Sequence, residues 1–396
     1  MGMYAHSLIE HVNHPLLHMR CGINQSYGEI HMDTKRINDV ISRFAMPEGE
    51  YIAAPYGNGH INDTLCVVVM TAEGPRRFIM QRVNRYVFKQ PEEVIRNVEQ
   101  VTEFLRDVIA KEGGDPYRET LTLVPAKDGK NYVIDDEGQL WRIYLFIEDT
   151  ISRDLPDTTE LFELSGAAFG KFQRQLGAFP AEKLVETIVD FHNTPARYEQ
   201  LMDAIRRNDA GRLDSVAEEI AFCKKYEQEV HTLLDALKAG EIPLRVTHND
   251  TKLNNVLLDA QTGRGVCVID LDTVMPGLAA YDFGDSIRFG ANTAAEDETD
   301  LEKVQLSLPM FEAFARGFVS ECAGALNERE IELLPMGAKM MTLECGMRFL
   351  ADYLNGDKYF KIHRENHNLD RARNQFQLVR RMEEKWDEMM KIIKSI

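Results

Sequence analysis

The sequence is short of positive charge: 46 lysines and arginines stand against 64 aspartates and glutamates, a formal net charge of −18. The broad basic surface that a nucleic-acid-binding protein needs is therefore missing. No Lys/Arg cluster is long enough to hold an anionic lipid surface. Cysteine is sparse too. Cys21, Cys66, Cys223, Cys267, Cys322 and Cys345 are scattered with no C-x-x-C pair. They read as reduced thiols of a cytosolic protein rather than a disulfide framework or a zinc site. No apolar run could span a bilayer, and the first residues lack the basic-then-apolar layout of a secretory signal. The expectation is a cytoplasmic protein without nucleic-acid or membrane partners, and the sequence names no protein partner. What is present is ordinary for a soluble globular chain: 396 residues, 44% hydrophobic and 28% charged. At about 100–200 residues per domain, that suggests two or three domains.

Hydrophobic periodicity divides the chain. Residues 1–35, with His6, His11, His14, His18 and His31, read as a loosely docked extension. From 36 to 150, strand signals dominate. Short β-runs lie at 51–56, 64–70, 77–83, 132–134 and 140–147, and a helix spans 91–111 with Pro91 in its first turn. From 151 to 396 the pattern is helical, at 157–176, 196–206, 215–237, 301–321, 328–354 and 370–393. Only a small β patch interrupts, at 244–247, 255–259 and 266–270. The order predicts an α+β fold with a β-rich N-terminal lobe, a mainly helical C-terminal lobe and an active site in the cleft.

The informative segment is Thr247-His248-Asn249-Asp250-Thr251-Lys252-Leu253-Asn254-Asn255, an H-x-D-x-x-x-x-N string between short strands, followed by Val268-Ile269-Asp270 at the end of another. Phosphoryl transfer needs a positioned hydroxyl, a carboxylate to accept its proton, and metal ligands beside the phosphates. Asp250 fits the carboxylate. Asn255 offers an amide oxygen and Asp270 a hard anion, a donor set suited to Mg²⁺. This is the protein-kinase catalytic-loop logic, with the histidine two residues before the base. Asp282-Phe283-Gly284 spells the metal motif of protein kinases. Yet Asp270 ends the strand after the loop, whereas Asp282 follows an expected loop at Met275-Pro276-Gly277 and begins a helix expected over 283–289, so its expected role is a helix cap or a brace for the loop.

The nucleotide side is thinner. Gly57-Asn58-Gly59 joins two strands as a phosphate-covering hairpin would, although Gly-x-Gly is also an ordinary hairpin turn. The third strand carries Gln81 and Arg82 where a kinase-like lobe has lysine. Either could meet phosphate. Glu99, on the following helix, is the candidate for the usual acidic partner. Position alone makes 146–149, with Glu148, the hinge whose backbone would read adenine.

Several strings in one order go further: Tyr56-Gly57-Asn58-Gly59-His60-Ile61-Asn62, the loop from Arg245 to Asn255, Ile269-Asp270-Leu271-Asp272-Thr273, Asp282-Phe283-Gly284-Asp285-Ser286-Ile287-Arg288-Phe289-Gly290, and Glu344-Cys345-Gly346-Met347-Arg348-Phe349-Leu350-Ala351-Asp352-Tyr353. With these the chain resembles the aminoglycoside/choline kinase-like superfamily, and within it the N-acetylhexosamine 1-kinases, over nearly everything but the extension. The resemblance extends to glutamine at the Gln81 position. It implies ATP- and Mg²⁺-dependent phosphorylation of the anomeric hydroxyl of N-acetylglucosamine or N-acetylgalactosamine. It further implies Asp250 as base, Asn255 and Asp270 as metal ligands, and His60, Thr273, Phe289, Arg348 and Tyr359 facing the sugar. A kinase of another small alcohol, such as an amino alcohol or an aminoglycoside, is the alternative. A nucleotide-binding pseudokinase is a third reading, opposed by the intact Asp250, Asn255 and Asp270.

Overall fold

The computed structural model describes residues 34–57, 61–322 and 324–396. The extension expected at the N-terminus lies outside the described residues up to position 33. The chain forms two compact units, one made of the described residues up to Glu103 together with Leu121–Glu148, the other of Phe104–Thr120 with Asp149–Ile396. Thus the division runs through a helix, which no shift in composition announces.

The first unit is built on a five-stranded antiparallel sheet of order β1-β2-β3-β5-β4. Its strands are β1 (Glu50–Pro55), β2 (Asp63–Thr71), β3 (Gly74–Arg82), β4 (Val133–Ile134) and β5 (Leu140–Leu145). Side chains alternate between faces along a strand. Leu65, Val67, Val69, Phe78, Met80, Trp141 and Ile143 pack on one face with Ile37, Val40 and Ile41 of helix α1 (Thr34–Ser42). Cys66 and Val68 point to the other, with Ala54, Tyr56 and Phe146. The register sets Thr64 beside Gln81, and Gln81 beside Arg142. Helix α2 (Pro91–Lys111) begins where proline costs no hydrogen bond, with Glu92 and Glu93 complementing the positive end of its dipole.

The second unit is mainly helical. Helix α3 (Thr159–Gln175) is capped by Thr158, whose hydroxyl accepts from the Leu161 amide. Helix α4 (Thr194–Arg207) is capped by Asn193. The single helix expected over 215–237 is instead two, α5 (Ala217–Lys224) and α6 (Thr232–Lys238), joined by a turn that buries Tyr226 under the Lys339 ammonium. The one expected over 328–354 is broken as well. Pro335 forces a fresh start, giving α9 (Glu328–Glu332) and α10 (Leu334–Leu354) after α7 (Ala279–Gly290) and α8 (Leu308–Cys322). The last expected helix breaks at Lys385 into α11 (His367–Glu384) and α12 (Trp386–Ser395).

The β patch of this unit is two small sheets rather than one. Strands β8 (Val256–Asp259) and β9 (Gly265–Val268) pair with each other, and β8 also takes β6 (Thr150–Ile151). Strand β7 (Arg245–Thr247) pairs with β10 (Met275–Gly277), a segment expected to be loop. Helices α7 and α10 cross with backbone against backbone. A Cβ on Gly284 would sit 2.3 Å from the Gly337 carbonyl oxygen, and one on Gly337 2.2 Å from that of Ala280. Among the described residues no helix is long and apolar enough to cross a membrane.

Candidate active site

Strand β7 delivers the chain into the loop 247–255, and α7 holds it there. The buried Asp282 carboxylate accepts from the amides of His248 (2.9 Å) and Asn249 (2.8 Å) and from Gln173 Nε2 (2.6 Å). Two consecutive amides can converge on one carboxylate because Asn249 takes a left-handed conformation, φ 64°. One turn on, Asp285 accepts from the Thr251 amide at 3.1 Å, while the Ser286 hydroxyl donates to the Thr251 carbonyl at 2.7 Å. Asp282 is therefore the brace of the loop. It is not a cap, since α7 already starts at Ala279. Burial pushes its carboxyl above the ordinary range, against the opposing pull of His248, the two amides and Gln173.

His248 fixes the far side. Its Nε2 faces the Ile269 carbonyl at 2.8 Å, an atom that only accepts, so Nε2 carries the ring proton and Nδ1 accepts from the Asp250 amide at 3.3 Å. The Ile269 amide in turn donates to the Asn255 carbonyl at 2.9 Å. Phe169 and Phe172 pack edge-on against the imidazole.

Asp250 and Asn255 come together. The Asn255 Nδ2 donates to the Asp250 carbonyl (2.8 Å) and to Oδ2 of its carboxylate (3.2 Å), which turns the Asn255 Oδ1 away from Asp250. The other carboxylate oxygen lies 2.6 Å from Lys252 Nζ. Burial pushes the Asp250 carboxyl up, but Lys252, with Asn255, holds it below the usual carboxylate range. Lys252 itself is shifted upward by Asp250 and Asp285 against its own burial. The sequence reading gave Lys252 and Asp285 no role. A cation two residues after Asp250 is the signal available for Lys252. Asp285 had none, because its partner Thr251 is far away in the chain.

Asp270 lies just past β9, exposed, with φ 59°. An exposed carboxylate and an amide oxygen without a hydrogen-bond partner among the described residues, on segments joined through Ile269, fit Mg²⁺. That ion takes one or two carboxylates and fills its octahedron with waters and phosphate. Among the described residues no group of three or more His, Cys, Asp or Glu forms a cage for a metal.

The acceptor candidates fall into two groups. Phe289 lies beside Lys252, its ring centre 5.9 Å from Nζ. Thr273 is buried and its hydroxyl donates to the His248 carbonyl at 2.7 Å, so toward a ligand it is left as an acceptor. Arg348, on α10, forms the second group. Its guanidinium lies over Phe191 (5.2 Å) and Phe360 (5.5 Å), and it makes no hydrogen bond or ion pair among the described residues. Tyr359 is exposed and packs edge-on against Phe360. Asp352 shapes that corner by accepting from the amides of Lys358, Tyr359 and Phe360.

On the nucleotide side, Asn58, Gly59 and His60 lie outside the described residues, and Gly57 is exposed with φ 76°. Gln81 donates to Thr64 Oγ1 at 3.1 Å and accepts from Arg142 Nε (3.0 Å) and Nη2 (2.7 Å). The cation beside the lysine position is thus the buried Arg142, from the neighbouring strand. Arg82 is paired with Asp63, and Glu99 accepts from Asn131, so neither Gln81 nor Arg82 forms a Lys–Glu-type pair with Glu99. Glu148 is paired with Arg77, whose guanidinium lies 3.9 Å over the Phe146 ring.

Residues 65–315 match the phosphotransferase enzyme family. Among solved structures, the chain is similar to an aminoglycoside phosphotransferase from Alicyclobacillus acidocaldarius (13% identity, TM-score 0.54, covering 95% of this chain and 100% of that one). It is also similar to a choline kinase from Cryptosporidium parvum (14%, 0.54, 92% and 99%) and an ethanolamine kinase from Plasmodium vivax (12%, 0.51, 93% and 94%). At these identities the likeness concerns the fold.

Proposed function

The chain belongs to the phosphotransferase enzyme family, and we propose that its reaction is ATP-dependent phosphorylation of the anomeric hydroxyl of an N-acetylhexosamine. The observation that carries the kinase part is the loop itself. Asp250 is kept ionised by Lys252, lies beside Asn255, and is tied through the His248 ring to Ile269 in the segment that presents Asp270. Asp250 orients the acceptor hydroxyl and takes its proton as the oxygen attacks the terminal phosphorus. The Lys252 ammonium meets the negative charge on the transferring group. Asn255 Oδ1 and Asp270 would hold Mg²⁺, which when bound neutralises phosphate charge. Gly57, Gln81 and the backbone at Glu148 are assigned to the nucleotide, with Asn58 and Gly59.

The sugar part rests on Arg348. A planar guanidinium walled by two aromatic rings, with donors that no carboxylate occupies among the described residues, suits an acetamide carbonyl or ring hydroxyls. Tyr359, Phe289, Thr273 and His60 complete the assigned acceptor set. Fold relatives acting on choline, ethanolamine and aminoglycosides favour the alternative of an amino alcohol. Those acceptors are cations, however, and an unpaired arginine repels them. The test is a screen of free sugars, choline and an aminoglycoside with ADP release followed, then phosphorus–proton NMR of the product. Coupling to the anomeric proton is expected. Coupling to the C6 protons, or turnover of choline alone, overturns the sugar 1-kinase reading. A methyl glycoside, blocked at the anomeric oxygen, should not react.

A further inference from the structure

The half-buried His192 has no part in the chemistry described so far, yet it touches both the loop that carries Asp250 and the helix that carries Arg348. It sits on the turn before α4, with its side chain 9% exposed. Nε2 lies 3.2 Å from the carbonyl of Asn249, the residue before the base. Nδ1 lies 2.9 Å from Oε1 of Glu344, on α10 one turn before Arg348. The Glu344 side chain is 1% exposed, and its other oxygen accepts from the Thr194 hydroxyl at 2.9 Å. A carboxylate at so dry a position is costly and packing alone would favour an apolar residue, as at its neighbours Leu343 and Met347. The preceding residue, Phe191, supplies one of the rings against Arg348, and its carbonyl accepts from Nε and Nη2 of Arg197 at 3.2 and 3.0 Å.

We propose that His192 is a positioning residue that ties the catalytic loop, at the Asn249 carbonyl, to the acceptor-binding face of α10, at Glu344. This rests on the kinase reading above and deepens it. Asn249 is the left-handed residue whose amide is already held by Asp282. Gripping its carbonyl from the α10 side fastens the peptide that follows Asn249 as Asp282 fastens the one before it, and Asp250 comes next in the chain. Phe191 and His192 are adjacent, so one short segment packs against Arg348 with one residue and steers the base with the next. Acceptor docking and base geometry are then set together. Misplacement of a reacting group by about 1 Å costs on the order of 100-fold in rate.

The experiment uses the full chain and whichever acceptor the wild type turns over. His192→Ala should lower acceptor-dependent kcat by about 10- to 100-fold, with KM for ATP unchanged within about twofold and acceptor-free ATP hydrolysis falling by clearly less. Glu344→Gln should lower the same ratio of phosphorylation to hydrolysis, and the double variant should be no worse than His192→Ala alone, because the two act as one unit. Should His192→Ala fail to fold, Glu344→Gln is judged by that ratio. Wild-type kcat in a folded His192→Ala protein, strictly additive losses, or an equal fall in phosphorylation and hydrolysis accompanied by a lower Tm would each overturn the proposal. A wild type that phosphorylates choline or an aminoglycoside but no acetamido sugar sinks the substrate reading only, and the same series then runs on that alcohol.

Discussion

His248 and Ile269 are joined by a single contact, ring Nε2 to main-chain carbonyl at 2.8 Å, and the Ile269 amide returns to Asn255 at 2.9 Å. The strand end that presents Asp270 is thereby fastened to the loop that carries Asp250 and Asn255. The spacing of the three candidate groups is fixed by one imidazole–carbonyl contact and one main-chain bond, both ending on Ile269.

Asp250→Asn keeps the shape of the side chain and removes the proton acceptor. Turnover should fall by about 10²–10⁴-fold, while circular dichroism and Tm report an intact fold. More than about a tenth of wild-type kcat would show that another group accepts the proton.

The pH profile follows from Lys252. The folded Asp250 carboxyl is held below its ordinary value, so the ionised base persists as pH falls and is lost only below the usual carboxylate range. Any stability this pair adds has the same sign: present above the unfolded pKa, lost as pH falls through the folded one. In Lys252→Met, burial is no longer opposed by the ammonium and the carboxyl rises. The acid limb of kcat/KM should therefore move to higher pH. A limb that stays in place or moves down contradicts the pairing.

Asp270 and Asp282 should separate cleanly. Asp270→Asn keeps a residue that tolerates positive φ and should raise the Mg²⁺ concentration needed for turnover. Asp282→Asn replaces an acceptor of loop amides and leaves at least one buried donor unsatisfied, a cost of about 1–3 kcal/mol. It should lower Tm without changing the Mg²⁺ requirement. A metal titration with the opposite pattern would reverse the assignment.

Arg348→Ala should raise KM for the acceptor by about tenfold or more, the worth of one hydrogen bond from a charged donor. KM for ATP should hardly move. Arg348→Lys should recover little, since an ammonium lacks the planar fork and its stacking on Phe191 and Phe360. Equal rises in both KM values would remove Arg348 from the acceptor site.

The readable parts of this chain are those with short-range signals. Helix α2 was legible to the residue, because Pro91 marks its start and an apolar stripe runs from Val94 to Val108, within its last turn. The catalytic string was legible because Asp250 and Asn255 are five residues apart and meet directly. Asp282 as a brace could be guessed from its place before a helix, but not the three donors it gathers. His192 and Glu344 were invisible. They are 152 residues apart and each alone reads as an unremarkable polar side chain. Met275–Gly277 looked like loop since proline and glycine dominate it, yet antiparallel pairing with Arg245–Thr247 makes it a strand. The αL aspartate at 270 gave no cue, because the same residue type serves both metal chemistry and left-handed backbone.

The crossing of α7 and α10 has a genetic consequence. Asp282 and Asp285 sit on one helix and Glu344, Arg348 and Asp352 on the other, and where the helices touch there is no space for one methyl group. A chain bearing alanine at 284 or 337 must push the two helices apart, and with them every carboxylate that shapes the loop and its acceptor wall. In a cell that depends on this enzyme, heat-sensitive alleles should therefore collect at two glycines that touch no substrate. Growth at low temperature would mask them, and suppressors would be sought among their neighbours Ala280 and Met341 rather than in the catalytic string.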